Sequence, residues 1–269
     1  MPAQPRTCTA TGDLEVVAFE SRIFPPPRSL RILLPDGYRD PANRSRRYPV
    51  LYLNDGQDLF DRCTTLFGGD EWRVDETVRD LIAAGKLAPM IVVGIDNGGR
   101  RLRPKEYLPY VDEFLSPPEP DPQGKLYPRF LDEVIAFVEQ RYRIIPGARN
   151  RVLGGSSYGA GAALYALIDR PGSFAGLLLE SPSIYASDYA LLKDAERVRT
   201  WPRRVYIGTG TVREPVGDVE KLGALFRKVG LKEDRLRVVT QPGADHSQSA
   251  WGQRLPEALL FLFGTREVR

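Results

Sequence analysis

The sequence predicts an α/β fold: a mostly parallel central sheet with antiparallel N-terminal strands and helices on both faces. Three observations carry this reading. From Tyr48 onward, short apolar runs alternate with longer amphipathic ones, the pattern of βα units around a parallel sheet. Upstream, LEVVAFES and RSLRILLPDGY are two β-rich runs separated by the Pro25 to Pro27 cluster, which reads as a turn between antiparallel strands. At 269 residues the chain is long enough for one large α/β core, so residues 1–269 are expected to form a single domain.

After the two N-terminal runs, the strand candidates are Val50 to Asn54, Met90 to Asp96, Arg151 to Ser156, Phe174 to Ser181, Arg204 to Gly210 and Arg235 to Gln241. Each is a short apolar, β-branched run of the kind a sheet covered on both faces requires. The intervening helices are Val74 to Ala84, Tyr127 to Tyr142, Tyr158 to Asp169, Tyr189 to Arg197, Val216 to Val229 and Ser247 to Phe263, several bounded by Gly or Pro. Asn97 to Lys125 fits neither period. It is proline-rich, of mixed charge, and follows the C-terminal end of a strand, the side on which open α/β sheets bind ligands. It reads as an irregular loop near a pocket, against the alternative of a solvated surface insertion.

Composition narrows the partners. The formal charge is +3, with basic residues spread along the chain and no dense run to track a phosphate backbone, so nucleic acid is not expected. No apolar run approaches bilayer length and the N-terminal stretch has no signal-peptide core, which together predict a cytoplasmic protein away from the membrane. Cys8 and Cys63 are then read as two reduced thiols. One histidine and two scattered cysteines do not assemble a usual zinc set, and no metal is expected.

The chemistry centres on RVLGGSSYGAGAAL. Gly155-Ser156-Ser157-Tyr158-Gly159 is a GxSxG pattern between a buried-type strand and an Ala-rich helix. A nucleophile elbow needs small residues two before and two after the serine, because the turn strains the serine backbone and brings strand and helix into near contact. The bland alternative, a glycine-rich turn holding a phosphate at a helix N-terminus, lacks the lysine of a P-loop and the GxGxxG spacing.

A hydroxyl of ordinary pKa needs a general base, and imidazole is the usual one. His246 is the only histidine, and it sits in QPGADHSQSAW between the last predicted strand and the last helix, where the order serine, acid, histidine puts the base. The acid should follow the preceding strand. RVYIGTG runs into TVREPVGD, which offers Glu214 and Asp218, and Glu214 is preferred because it lies nearer the strand end. Asp245, adjacent to His246, is a third choice. For the negative charge of a tetrahedral intermediate, the backbone N–H groups of Tyr158 and Gln57 are the candidate donors, Gln57 following the Asn54-Asp55-Gly56 turn.

The strings YPVLYLNDGQDLFD, IVVGIDNGG followed by RPKEYLPY, RVLGGSSYGA, the SPS after LLLE, YIGTGTVRE and DHSQSAW stand in an order that resembles the Putative esterase family. That family includes siderophore trilactone, feruloyl and acetylxylan esterases, formylglutathione hydrolase and mycobacterial mycolyltransferases. The resemblance covers most of the chain. It implies an α/β-hydrolase fold, no cofactor, a small-molecule ester substrate, and a Ser157, Glu214, His246 triad with Gln57 and Tyr158 amides as the oxyanion hole. Many relatives carry Asp where Glu214 stands, which keeps Asp218 in view.

Substrate contacts are less legible. Arg100, Arg101 and Arg103 are candidates for an acidic group on the substrate, and Trp72 or Trp251 for stacking on a ring, each against the plainer reading of a solvated Arg or a packing Trp. The expected activity is serine carboxylic-ester hydrolysis through an acyl-enzyme. The alternatives are acyl transfer with the same triad and a non-catalytic ligand-binding module on the same fold.

Overall fold

The structure, a computed structural model, describes residues 7–25, 27–67 and 69–264. Pro26, inside the predicted N-terminal turn, lies outside the described residues. Eight strands form one sheet: β1 (Asp13–Phe19), β2 (Arg28–Leu34), β3 (Val50–Asn54), β4 (Ile91–Ile95), β5 (Arg151–Ser156), β6 (Gly176–Glu180), β7 (Arg204–Val212) and β8 (Leu236–Asp245). Their spatial order is β1-β2-β4-β3-β5-β6-β7-β8. The pairs β1/β2 and β2/β4 are antiparallel and every other neighbour is parallel, as the break in pattern before Tyr48 predicts.

The helices are α1 (Val74–Ala83), α2 (Arg103–Tyr107), α3 (Tyr127–Arg141), α4 (Tyr158–Asp169), α5 (Ala186–Ala195), α6 (Val216–Lys228) and α7 (Gln248–Phe263). Alternation along the strands sorts them into two layers. Tyr52, Val93, Leu153, Leu177, Leu179 and Ile207 point into a core with Phe130 of α3, Leu164 of α4 and Phe226 of α6. Leu51, Leu53, Val92, Val152, Leu178 and Tyr206 point the other way, against Val78 of α1 and Leu255 and Leu259 of α7. Both faces are covered, which is why the parallel strands read as unbroken apolar runs.

Three expectations change. Residues 97–125 are mostly irregular, but α2 lies within them, started by Pro104 near its N-terminus. The α5 segment carries left-handed backbone at Ser187, Asp188 and Tyr189, a kink that periodicity does not register, so its regular right-handed part starts only after the expected Tyr189. Cys8 and Cys63 are joined in a disulfide, which corrects the reading of two reduced thiols. The reason is tertiary: the Thr9 backbone N–H donates to Asp61 Oδ1, and this clamps the N-terminal segment beside Cys63. No helix among the described residues is long and apolar enough to cross a membrane.

Candidate active site

All the candidate catalytic residues follow the C-terminal ends of the parallel strands, and the ladder explains how they meet. Ser156 pairs with Glu180, so Ser157 and Ser181 emerge side by side from β5 and β6. The Ser157 N–H donates to Glu180 O at 2.9 Å and the Ser181 N–H to Gly208 O at 2.7 Å, extending the pairing past the strand ends. After an irregularity between Gly210 and Val212, Val212 pairs with Asp245. Glu214 and His246 therefore leave β7 and β8 at the same edge.

Ser157 has φ 54° and ψ −127°. Such a conformation costs an L-residue about 1–3 kcal/mol and persists only where surrounding structure enforces it. The glycines on either side supply the enforcement. A Cβ on Gly155 would lie 2.8 Å from the Gly159 backbone, and one on Gly159 would lie 2.8 Å from Asp55 Oδ2. Asn54 of β3 tightens the junction by donating from Nδ2 to Gly159 O at 2.7 Å, and its Oδ1 accepts from the Tyr127 hydroxyl.

His246 Nδ1 lies 3.0 Å from Glu214 Oε2. The Glu214 side chain is 0% exposed, whereas 38% of the imidazole is open to solvent. Ser181 Oγ donates to Glu214 Oε1 at 2.7 Å and accepts from Trp251 Nε1 at 2.9 Å. Trp251 in turn packs edge-on against the imidazole, with ring centroids 5.0 Å apart. A fully buried carboxylate thus has both oxygens hydrogen-bonded, one to the imidazole and one to a hydroxyl that is itself fixed.

The alternative acids are engaged elsewhere. Asp218 accepts from the Tyr189 hydroxyl at 2.7 Å and from Lys221 Nζ at 3.2 Å, and Asp245 accepts from Ser247 Oγ at 2.5 Å. Ser157 Oγ lies 3.4 Å from Ser183 Oγ and, among the described residues, makes no hydrogen bond to His246. Catalytic contacts of this kind are often long before a substrate tightens them.

Ser157 and His246 line a cavity of about 240 Å³ with Asp58, Phe67, Trp72 and Trp251. Tyr158 is the first residue of α4, where a backbone N–H has no partner within the helix. Its hydroxyl donates to the buried Asp112 at 2.6 Å, which ties the loop after α2 to the elbow. Gln57 lies in a 3-10 turn over Gly56–Asp58. Its Oε1 accepts from Asn97 N at 3.2 Å and its backbone O from Thr64 Oγ1 at 2.7 Å.

The candidate substrate contacts take different positions. Arg103 is buried and forms a bidentate pair with Asp55, both contacts at 2.8 Å, with its guanidinium among the rings of Phe67, Tyr107 and Tyr158. Trp251 and Trp72 are both buried, with centroids 5.8 Å apart. Arg100 stacks on Phe67 at 4.8 Å. Sequence reasoning missed Ser181, Asp58 and Asp112. Ser181 and Asp58 lay within the SPS and YPVLYLNDGQDLFD strings, but side-chain partners show only in three dimensions.

Residues 21–262 match the family described as Putative esterase. A siderophore enterobactin esterase of Emericella nidulans is 31% identical over 158 residues, covering 55% of this chain and 50% of that protein. The chain thus spans about half the length of that relative. Among solved structures, the BES protein from Bacillus cereus superposes with a TM-score of 0.73 at 20% identity, covering 97% of this chain and 99% of that one. The enterobactin esterase FES from Shigella flexneri, solved in the presence of 2,3-di-hydroxy-N-benzoyl-serine, gives 0.69 at 18% identity, covering 95% of this chain and 61% of that one. At these identities the structural likeness is one of fold, and the fold is that of the α/β-hydrolases.

Proposed function

The chain belongs to the Putative esterase family and is a carboxylic ester hydrolase, and we propose that it works through an acyl-enzyme on Ser157. The observation that carries the reading is the hydrogen bond from His246 to the buried Glu214, at the wall of the cavity that also holds Ser157.

In this mechanism Ser157 Oγ attacks the ester carbonyl while His246 takes its proton through Nε2. Glu214 accepts from Nδ1–H, fixing the tautomer and offsetting the imidazolium charge. The backbone N–H groups of Tyr158 and Gln57 meet the oxyanion, a contact worth about 10²–10³ in turnover for one donor. His246 then gives its proton to the departing alcohol. A water deprotonated by the same imidazole attacks the acyl-enzyme and frees Ser157. Asp218 plays no part in the relay, since Tyr189 and Lys221 hold it.

The names of the two enterobactin esterases make siderophore esters the first natural substrates to try. A serine-directed fluorophosphonate should label wild type and not Ser157→Ala, and p-nitrophenyl acetate turnover should fall at least about 10³-fold in the variant. Labelling of Ser157→Ala, or turnover at the wild-type rate, would overturn the assignment.

A further inference from the structure

We propose that Asp58 forms a subsite in the catalytic cavity that receives a hydrogen-bond donor, a hydroxyl or an ammonium, carried by the ester substrate. The proposal rests on the hydrolase reading above and adds to it a substrate chemistry.

Asp58 closes the 3-10 turn after β3, is 2% exposed, and lines the same cavity as Ser157 and His246. Its Oδ1 accepts the backbone N–H of Leu66 at 2.7 Å and of Phe67 at 3.4 Å, which fixes the carboxyl plane. Its Oδ2 receives no hydrogen bond from the described residues, and no basic side chain among them pairs with it.

The contrast with Asp55 is informative. Asp55 accepts from Arg103 through both oxygens and from Asn97 Nδ2 at 2.7 Å, so the cation nearest Asp58 is already committed to another carboxylate. With Asp58 ionised, Asp55, Arg103 and Asp58 sum to one negative charge facing a wall of Phe67, Trp72 and Trp251.

A buried carboxyl with a free oxygen among aromatic rings is costly for folding alone. Bracing the turn at Leu66 needs only Oδ1, which an asparagine would provide as well. Burial, aided by the Asp55 charge, pushes Asp58 up to about 7, so the group is poised to ionise when a donor arrives. An ammonium beside it would hold it charged, and a hydroxyl would donate to it directly.

The test measures kcat/KM at pH 8 for two sets of matched esters. In the first, p-nitrophenyl butyrate is compared with the 3-hydroxybutyrate and β-alanine esters, placing the donor on the acyl side. In the second, phenyl acetate is compared with its 3-hydroxy and 3-aminomethyl analogues, placing it on the alcohol side. Wild type should favour a donor-bearing ester over its parent by about tenfold or more in at least one set, and the stronger arm distinguishes ammonium from hydroxyl. The ratio should fall to about one in Asp58→Asn. It should fall likewise in Asp58→Ser, which keeps an acceptor near Leu66 but lacks the second oxygen.

Equal ratios in wild type and both variants would overturn the subsite while leaving the hydrolase reading intact. Absence of turnover of every ester by wild type would instead remove the hydrolase reading, and the subsite with it.

Discussion

Replacing Ser181 by alanine tests whether Glu214, the carboxylate proposed as the acid of the triad, needs both of its hydrogen bonds. The Ser181 hydroxyl joins Trp251 Nε1, 2.9 Å away, to Glu214 Oε1, 2.7 Å away, and Glu214 in turn holds His246. Its removal takes from the carboxylate a hydrogen bond worth about 1.5–3 kcal/mol. If that loss is felt in the transition state, where the imidazolium leans on Glu214, it corresponds to about a tenfold to hundredfold fall in kcat. It also leaves a buried indole N–H without a partner, a further destabilisation of about 1–3 kcal/mol that lowers Tm by roughly 2–10 °C. The assay is p-nitrophenyl acetate hydrolysis, with active sites counted by fluorophosphonate titration so that misfolded protein does not enter kcat. The fall should be in kcat, with KM within about twofold of wild type, because Ser181 does not line the cavity. Ser181 has φ 43°, so Ser181→Gly removes the hydroxyl without backbone strain and should lose kcat to the same extent. A kcat within twofold of wild type in both variants would refute the argument.

Two further outcomes follow from groups away from the cavity. Arg254 pairs with Glu180 beneath the elbow, where burial raises the Glu180 carboxyl to about 7 against the pull of Arg254. A carboxyl raised above its unfolded value of 4.5 contributes stability below that value and loses it as pH rises through 7. Without the guanidinium the carboxyl must take up a proton, so Arg254→Met should cost about 3–5 kcal/mol at pH 8 and roughly 1–2 kcal/mol at pH 5.5. Denaturant unfolding at the two pH values measures this, and a pH-independent loss would contradict it. The Cys8–Cys63 link closes a sequence separation of 55 residues, for which loop-closure entropy gives about 4 kcal/mol. Thiol titration of the unfolded, unreduced protein should find no free thiol, and Cys63→Ser should lower the unfolding midpoint. Two titratable thiols would restore the reading of reduced cysteines. The disulfide also bears on compartment, because such links persist mainly in oxidising surroundings.

The sequence by itself determined the covered parallel sheet and its antiparallel start, and it singled out Ser157 and His246 as candidates. Each is written in local chemistry. Apolar runs report strands covered on both faces, Gly155 and Gly159 report a turn too tight for a Cβ, and a single histidine leaves no competing imidazole. Tertiary structure alone decided between neighbours that local chemistry treats alike. Glu214 and Asp218 lie four residues apart, one before α6 and one in its first turn, and the pairing of Val212 with Asp245 turns the first toward His246 while Tyr189 and Lys221 hold the second. Asp55 and Asp58 are likewise two carboxylates in one turn. Only the fold delivers Arg103 to the first and leaves the second facing the cavity, because an ion pair 48 residues apart in sequence exists only once residues 97–125 have packed across the sheet end.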